Sequence, residues 1–429
     1  MLRRLLDRLF LVQAGPHLPP AAWRRGLGRS ALVLGAFTLG LSGLCSNTVL
    51  YVGYGLSLLG ILVSGLPWYR CPVRWLTLAL ALCLVIAHLC APYGDKTRVE
   101  SIVYALPLLI VGWCIGQHPL ARRALLTGVV VGLIASAVVA VLQLWLGYAP
   151  RARPWRIGQG RTWFHASGLM AHTIRFGATM AMAWVVTTVI RPRRTWLWAL
   201  WWLVPVMAGG AVVASRSRGA LLALVAGLWA RVSCAGWRRA VMGTGLALVA
   251  AILVVGLVHW QQPGRARHML TGQDARIQIW QDTTVLIARH PLTGVGSGAY
   301  KEAYTAAHDA GLVDGRPYGH AHNSFLGLAA TSGLPALLLL LALLGQVLWL
   351  CWRRRQVAAD GWSLGLGVLA VFVVGGMTED LLGMAISRGF AFTVLGLALG
   401  WPDKPLSPFC PVAGDLVVCL QQSATPPRA

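Results

Sequence analysis

The sequence predicts an all-α polytopic membrane protein, and three observations carry that prediction. Hydrophobic residues make up 57% of the 429 positions and charged residues only 12%, well away from the balance of a soluble globular domain. Apolar runs recur along nearly the whole chain, and many are long enough to cross a hydrocarbon core of about 30 Å, which takes roughly 20 helical residues. Lysine and arginine, which give a formal net charge of +24, gather in short segments between those runs. In a soluble protein that charge would point to nucleic acid. Here it marks loops kept on the cytoplasmic side of a bilayer, and membrane lipids rather than nucleic acid are the expected surroundings.

The elements follow in order. Residues 1–30 carry Arg3, Arg4, Arg8, Arg24, Arg25 and Arg29 without a compact apolar core and cleavage site, so they are expected to be a retained cytoplasmic amphipathic segment. Residues 31–259 are expected to hold nine spans: Ala31 to Cys45, Val49 to Leu66, Trp75 to Ala91, Ile102 to Gly116, Ala124 to Leu146, Leu169 to Ile190, Trp196 to Val213, Ala220 to Val232 and Val241 to His259. Three more, Ser324 to Trp352, Trp362 to Met377 and Leu382 to Trp401, fall within residues 324–401, and residues 402–429 form a cytoplasmic tail. Most of the nine cysteines lie inside apolar runs without metal-type pairing and read as apolar filler.

With about twelve spans and a cytoplasmic N-terminus, the segments holding Arg70 and Arg74, Arg122 and Arg123, Arg191 to Arg194, Arg231 to Arg239, and Arg353 to Arg355 all fall inside. The outer connections are then short except for Gly147 to Gly168 and residues 260–323, a large periplasmic cap between spans nine and ten. In the cap, Asp274 can cap a helix from Ala275 to about Arg289, which Pro291, Gly294, Gly296 and Gly298 close. The run Gly294-Val295-Gly296-Ser297-Gly298 follows a helix and lacks a Gly-Lys-Ser/Thr ending, so it reads as a flexible turn and not a phosphate loop.

Both outer segments carry arginines against the positive-inside trend: Arg151, Arg153, Arg156 and Arg161 in the first, and Arg265, Arg267, Arg276, Arg289 and Arg316 in the second. An anionic ligand outside would account for them. Arg216 and Arg218 lie at an outer junction of two spans and Arg175 about two turns inside another; such arginines either snorkel to the interface or face a cavity or partner. His320-Ala321-His322-Asn323-Ser324 begins where the cap returns to an apolar helix, so its polar groups would meet a lipid headgroup at the boundary. A histidine, with an ordinary pKa near 6.5, can take a proton from a sugar hydroxyl, and arginines can hold a diphosphate leaving group. That pairing suits glycosyl transfer from a diphosphate carrier, with His322 as the base candidate and a helix cap as its alternative reading. His172 reads as a packing or interface residue. Arg276 and Trp280 share a helix face with Thr283 and Ile287. No Asp-x-Asp occurs and the outer carboxylates show no ligand spacing, so no metal and no cofactor are expected; Glu379 and Asp380 are expected to pair with arginines.

Arg276-Ile277-Gln278-Ile279-Trp280, His290-Pro291-Leu292-Thr293-Gly294-Val295-Gly296, His322-Asn323-Ser324-Phe325-Leu326 and Ser217-Arg218-Gly219 resemble the O-antigen ligase and polymerase superfamily. His322-Asn323, nine residues, then Gly333 is similar to the ligase pattern, except that Ala336 stands where that pattern has Gly, Thr or Tyr. The resemblance implies a GT-C-like glycosyltransferase of the Gram-negative inner membrane that acts in lipopolysaccharide biosynthesis. It would move O-antigen from undecaprenyl diphosphate to lipid A-core on the periplasmic side, without a metal and with inversion. It further implies His322 as base and Arg218 and Arg276 as diphosphate ligands, with Trp280 as a neighbour; from the residues themselves come Arg216 and Arg175 as diphosphate candidates and His320 and Asn323 as neighbours.

An O-antigen polymerase differs only in acceptor, and a protein O-oligosaccharyltransferase of the same superfamily would use a protein. A transporter or flippase also fits about twelve spans, but the cap occurs once and no paired halves are visible. The topology is open to direct test. Single cysteines at Gln273 and Tyr318 should react with an impermeant thiol reagent added outside the membrane, and cysteines at Gln356 and Arg193 should not. The reverse pattern would overturn the orientation.

Overall fold

The computed structural model describes residues 20–42, 46–94, 102–146, 155–157, 161–163, 166–170, 172–190, 201–234 and 275–402, with isolated positions 236, 242 and 249. Among these the regular structure is helical apart from one hairpin. Helices α1 (Pro20–Ser42), α2 (Asn47–Ser64), α3 (Arg74–Cys90), α4 (Pro107–Gln117) and α5 (Pro119–Leu146) come first. Strands β1 (Trp155–Ile157) and β2 (Arg161–Trp163) pair antiparallel, Trp155 opposite Trp163. Then follow α6 (Thr173–Thr187), α7 (Leu203–Ala214), α8 (Arg218–Ser233), α9 (Ala275–Arg289), α10 (Tyr300–Asp309), α11 (Ser324–Arg353), α12 (Ala359–Thr378) and α13 (Ala385–Leu399).

Four of these helices, α2, α5, α11 and α12, are long and apolar enough to cross a membrane. Large apolar side chains also point outward, Trp145 being 80% exposed and Leu62 and Trp75 each 68%, which a water-facing surface would not tolerate in such number. The chain is a membrane protein. Its helices meet through small residues: a methyl on Gly112 or Gly396 would strike the backbone of the facing helix, so α4 and α13 approach at backbone contact.

Several expected elements differ from the structure. The run Ile102 to Gly116 is turns up to Leu106 and then the 11-residue α4, about 16 Å long at about 1.5 Å per residue and too short to cross alone. Arg122 and Arg123 stand on the first turn of α5 and not in a loop: buried Arg122 donates to the Gly116 carbonyl at 2.7 Å and lies over the Trp401 ring. The expected first span begins earlier, because α1 starts at Pro20 and carries Arg24, Arg25 and Arg29 itself. The ninth span, Val241 to His259, the capping residue Asp274 and Arg151, Arg153, Arg265 and Arg267 lie outside the described residues, apart from the isolated positions 242 and 249.

The largest departure is in α11. Gly333 has φ 82° and ψ 168°, a region open in practice to glycine alone, and Pro335 brings no amide hydrogen. The ladder therefore breaks, and the helix divides into a short piece and residues 335–353, which alone extend about 28 Å. In a continuous helix Leu334 would donate to Ala330, and residue 335 to Thr331. Instead the Ala330 and Thr331 carbonyls accept from Val295 N at 2.8 Å and Gly296 N at 3.0 Å, while Leu334 N turns to Pro291 O at 2.7 Å. The glycine-rich segment expected to be a flexible turn is thus a buried plug in the break, with Gly294, Val295 and Gly296 all inaccessible. Tyr93 N donates to Val295 O at 3.2 Å and ties the end of α3 to the same turn.

Above this plug, residues 275–323 pack as a cap with its own apolar cluster of Leu286, Tyr300, Tyr304, Ala307, Val313 and Ala321. Buried Asp282 organises it by accepting from Tyr304 Oη, from Gln278 Nε2 at 2.8 Å and from Gly315 N at 3.2 Å. Burial pushes the Tyr300 phenol up to about 12, so it stays protonated beside Thr283 Oγ1, 2.7 Å away.

Gly333→Ala should unseat the plug, since the added methyl would fall on the Leu292 carbonyl in a backbone conformation alanine avoids. A loss of about 2 kcal/mol or more is expected, read as a drop of several °C in the thermal midpoint of the detergent-solubilised protein and faster proteolysis within the cap. An unchanged midpoint would mean that the break carries no stability.

Candidate functional site

The site forms where the first turn of α11 meets the end of α12, the start of α8 and the cap helix α9. Asn323 has an extended backbone and its Oδ1 accepts from Phe325 N at 2.9 Å and Leu326 N at 3.1 Å, satisfying two of the amides left over at the head of α11. Its side chain is therefore a cap. His322, one residue earlier, has φ 49°, an uncommon left-handed conformation for a residue with a side chain. The turn is held by His322 N donating to His320 Nδ1 at 3.3 Å and by Trp280 Nε1 donating to Ala321 O at 3.1 Å. Trp280 thus fastens α9 to the short link between the two histidines.

Glu379 joins the parts. It ends α12 with an extended backbone and is 4% exposed. One carboxylate oxygen forms an ion pair with Arg276 Nη2 of α9, and the other lies 3.3 Å from His322 Nδ1. Its backbone oxygen accepts from Ser324 Oγ at 3.0 Å, and the same hydroxyl accepts from Leu382 N at 3.2 Å. Buried Arg388 donates to the Leu382 carbonyl and braces the turn from below. The Arg276 and His322 side chains are 31% and 28% exposed, so both reach outward from one buried carboxylate. Asp380 instead accepts from Gly383 N at 2.9 Å within its own turn.

Ser217 caps α8, its hydroxyl accepting from Ala220 N at 3.3 Å, which sets Arg218 as the first helical residue. Gly219 packs against Thr378, and a methyl there would come within 3.8 Å of Glu379 Cγ. The Ser-Arg-Gly run thereby brings the head of α8 to Glu379. Arg216 occupies the preceding turn with φ 52°. Arg175 lies on the first turn of α6, its Nε buried without a hydrogen-bond partner among the described residues. At His172, just before α6, partial burial and then the Arg175 charge hold the pKa below its ordinary value, with Glu379 acting the other way.

The structure therefore brings His322, His320 and Arg276 into one cluster, with Arg218 beside it and Trp280 and Asn323 as supports. Glu379 pairs with an arginine as expected, but its contact with His322 is not legible in the sequence; His172 is exposed at the head of α6. The available signal was Thr378-Glu379-Asp380, charge placed at the end of an apolar run. Among the described residues no group of three His, Cys, Asp or Glu side chains is arranged to hold a metal ion.

Residues 203–341 match the family described as O-antigen ligase. The resemblance to that superfamily is borne out. An O-antigen ligase from Pseudomonas aeruginosa is 28% identical over 177 residues, a match covering 38% of this chain and 41% of that protein. The matched family segment contains Arg216, Arg218, Arg276, His320, His322 and Gly333, while Arg175 and Glu379 lie outside it.

The ion pair should appear as a coupling energy. In a double-mutant cycle of Arg276→Ala and Glu379→Ala, read by thermal unfolding in detergent, the two changes should be non-additive by about 1–3 kcal/mol. Glu379→Ala should cost more than Arg276→Ala, because it strips two neighbours of a partner. Simple additivity would show that the contact contributes nothing.

Proposed function

We propose that the protein is an O-antigen ligase, which transfers O-antigen polysaccharide from undecaprenyl diphosphate to lipid A-core. The observation that supports this most directly is the buried Glu379 carboxylate shared by Arg276 and His322, which sets an anion-binding group beside a base. In this reading the chain crosses the bacterial inner membrane about twelve times with both ends in the cytoplasm, and residues 260–323 cap a periplasmic site.

The acceptor hydroxyl loses its proton to His322 Nε2 as its oxygen attacks the anomeric carbon of the donor. The bond from that carbon to the diphosphate oxygen breaks on the opposite side, the leaving group keeps the electron pair, and the configuration inverts. Glu379, as a carboxylate, accepts from His322 Nδ1–H and so leaves Nε2 free to take the proton. Arg276 and Arg218, with Arg175 and Arg216 as further ligands, hold the diphosphate and offset the charge that grows on it. The reaction proceeds without a metal.

A second reading, O-antigen polymerase, draws on Ala336, buried at the position where the ligase pattern has Gly, Thr or Tyr. A deletion strain separates the two. Loss of a ligase leaves bare core and a pool of lipid-linked polymer; loss of a polymerase leaves single repeats on the core.

Purified protein, undecaprenyl-diphosphate glycan and lipid A-core, with a chelator present, should give transfer. His322→Ala should slow it by roughly 10²- to 10⁴-fold while donor binding survives. Arg276→Ala and Arg218→Ala should each weaken donor use strongly, and lysine should restore only part because a bidentate fork becomes a point charge. A strict need for a divalent ion would sink the metal-independent mechanism. If His322→Ala loses donor binding in proportion to rate, the histidine is a diphosphate ligand and not the base.

A further inference from the structure

His322 has two sets of neighbours. The first is the buried Glu379 carboxylate with the Arg276 guanidinium paired to it, near the head of α8. The second is two rings of the segment that leads into α11: His320, with its centroid 4.1 Å away and tilted, and Tyr318, edge-on at 6.5 Å. Tyr318 belongs to the segment that leads from the cap core into α11 and is half-buried, close enough to Tyr304 to influence it.

Hydrogen bonding fixes what each imidazole offers. His320 Nδ1 accepts from the backbone N–H of His322 at 3.3 Å, so the proton of a neutral His320 stands on Nε2 and can be donated outward. Burial, and then the neighbouring His322, hold the His320 pKa below its ordinary value, so the neutral form prevails at pH 7. A neutral imidazole is a weak anchor for a diphosphate but a good partner for a hydroxyl oxygen. A sugar ring presents one face of C–H groups and a rim of hydroxyls; an aromatic ring takes the first from water, and fixed neutral donors and acceptors read the second. Arg316, exposed two residues before Tyr318, adds a cation at the edge for an acceptor that carries anionic groups.

We propose that Tyr318 and His320 form the acceptor-sugar subsite, with the sugar face on the Tyr318 ring, a neighbouring hydroxyl on His320 Nε2–H and the attacking hydroxyl at His322 Nε2. This rests on the glycosyl-transfer reading above, and it assigns the donor diphosphate to the arginines at Glu379 and the acceptor to the two rings. Tyr318 and His320 are positioning residues: they set which hydroxyl faces the base.

The test is retention of two probes by the full-length protein in detergent, lipid A-core for one side and undecaprenyl diphosphate for the other. Tyr318→Ala and His320→Gln should each weaken lipid A-core retention about tenfold and leave undecaprenyl diphosphate retention unchanged. Tyr318→Phe, which keeps the ring, should restore it. In transfer assays the same variants should raise KM for lipid A-core with kcat changed far less. Equal lipid A-core retention by wild type, Tyr318→Ala and His320→Gln would overturn the assignment, as would a parallel loss of undecaprenyl diphosphate or no retention of lipid A-core by the wild type. Retention that follows this pattern while wild-type transfer is absent would count against the glycosyl-transfer reading alone.

Discussion

Two carbonyl oxygens, those of Ala330 and Thr331, set the terms for much of this structure. A helix that breaks at Gly333 and Pro335 leaves them without their usual partners, and an unpaired buried carbonyl costs about 1–3 kcal/mol. The amides of Val295 and Gly296 meet that need. The cap is therefore joined to the bundle through main-chain bonds next to the head of α11, and α9 is held at the distance from which Arg276 reaches Glu379. Continuous helix at this point would leave the cap without its socket.

The cluster at Glu379 follows the same economy. Three separate parts of the fold, α9, the turn before α11 and the end of α12, contribute one group each, and the carboxylate is the group out of solvent. At low local dielectric a single buried anion between a guanidinium and an imidazole orients both. Ser324 and Arg388 fix the turn that carries it, so its position is set by side-chain hydrogen bonds to the turn's backbone and not by the ion pair alone.

Much of this was legible in the sequence, because the decisive signals there are local. Apolar periodicity located α3 within a residue or two at each end, Ser217 marked the head of α8, and Asn323 marked that of α11. The spacing from His322 to Gly333 carries two physical demands at once, a polar side chain at the helix head and a residue free to take positive φ at the break. What could not be read is non-local. Glu379 meets His322 across 57 positions and Arg276 across 103, and no periodicity reports such a contact. The plug at Gly294 to Gly296 read as a flexible turn because its partners are carbonyls of another helix, made available by a proline 40 residues further on. α4 read as a full span because hydropathy alone does not register the end that Pro107 imposes.

The bonds at the break in α11 run from main chain to main chain, and this bears on how such a protein can diversify. A joint built from amides and carbonyls asks for glycine at a few positions and a proline at one, and makes few demands on the side chains around it. The exposed surface of the cap can then be remodelled, residue by residue, without disturbing its mount. Surface and attachment are written in separate parts of the chain, so one can drift while the other holds still.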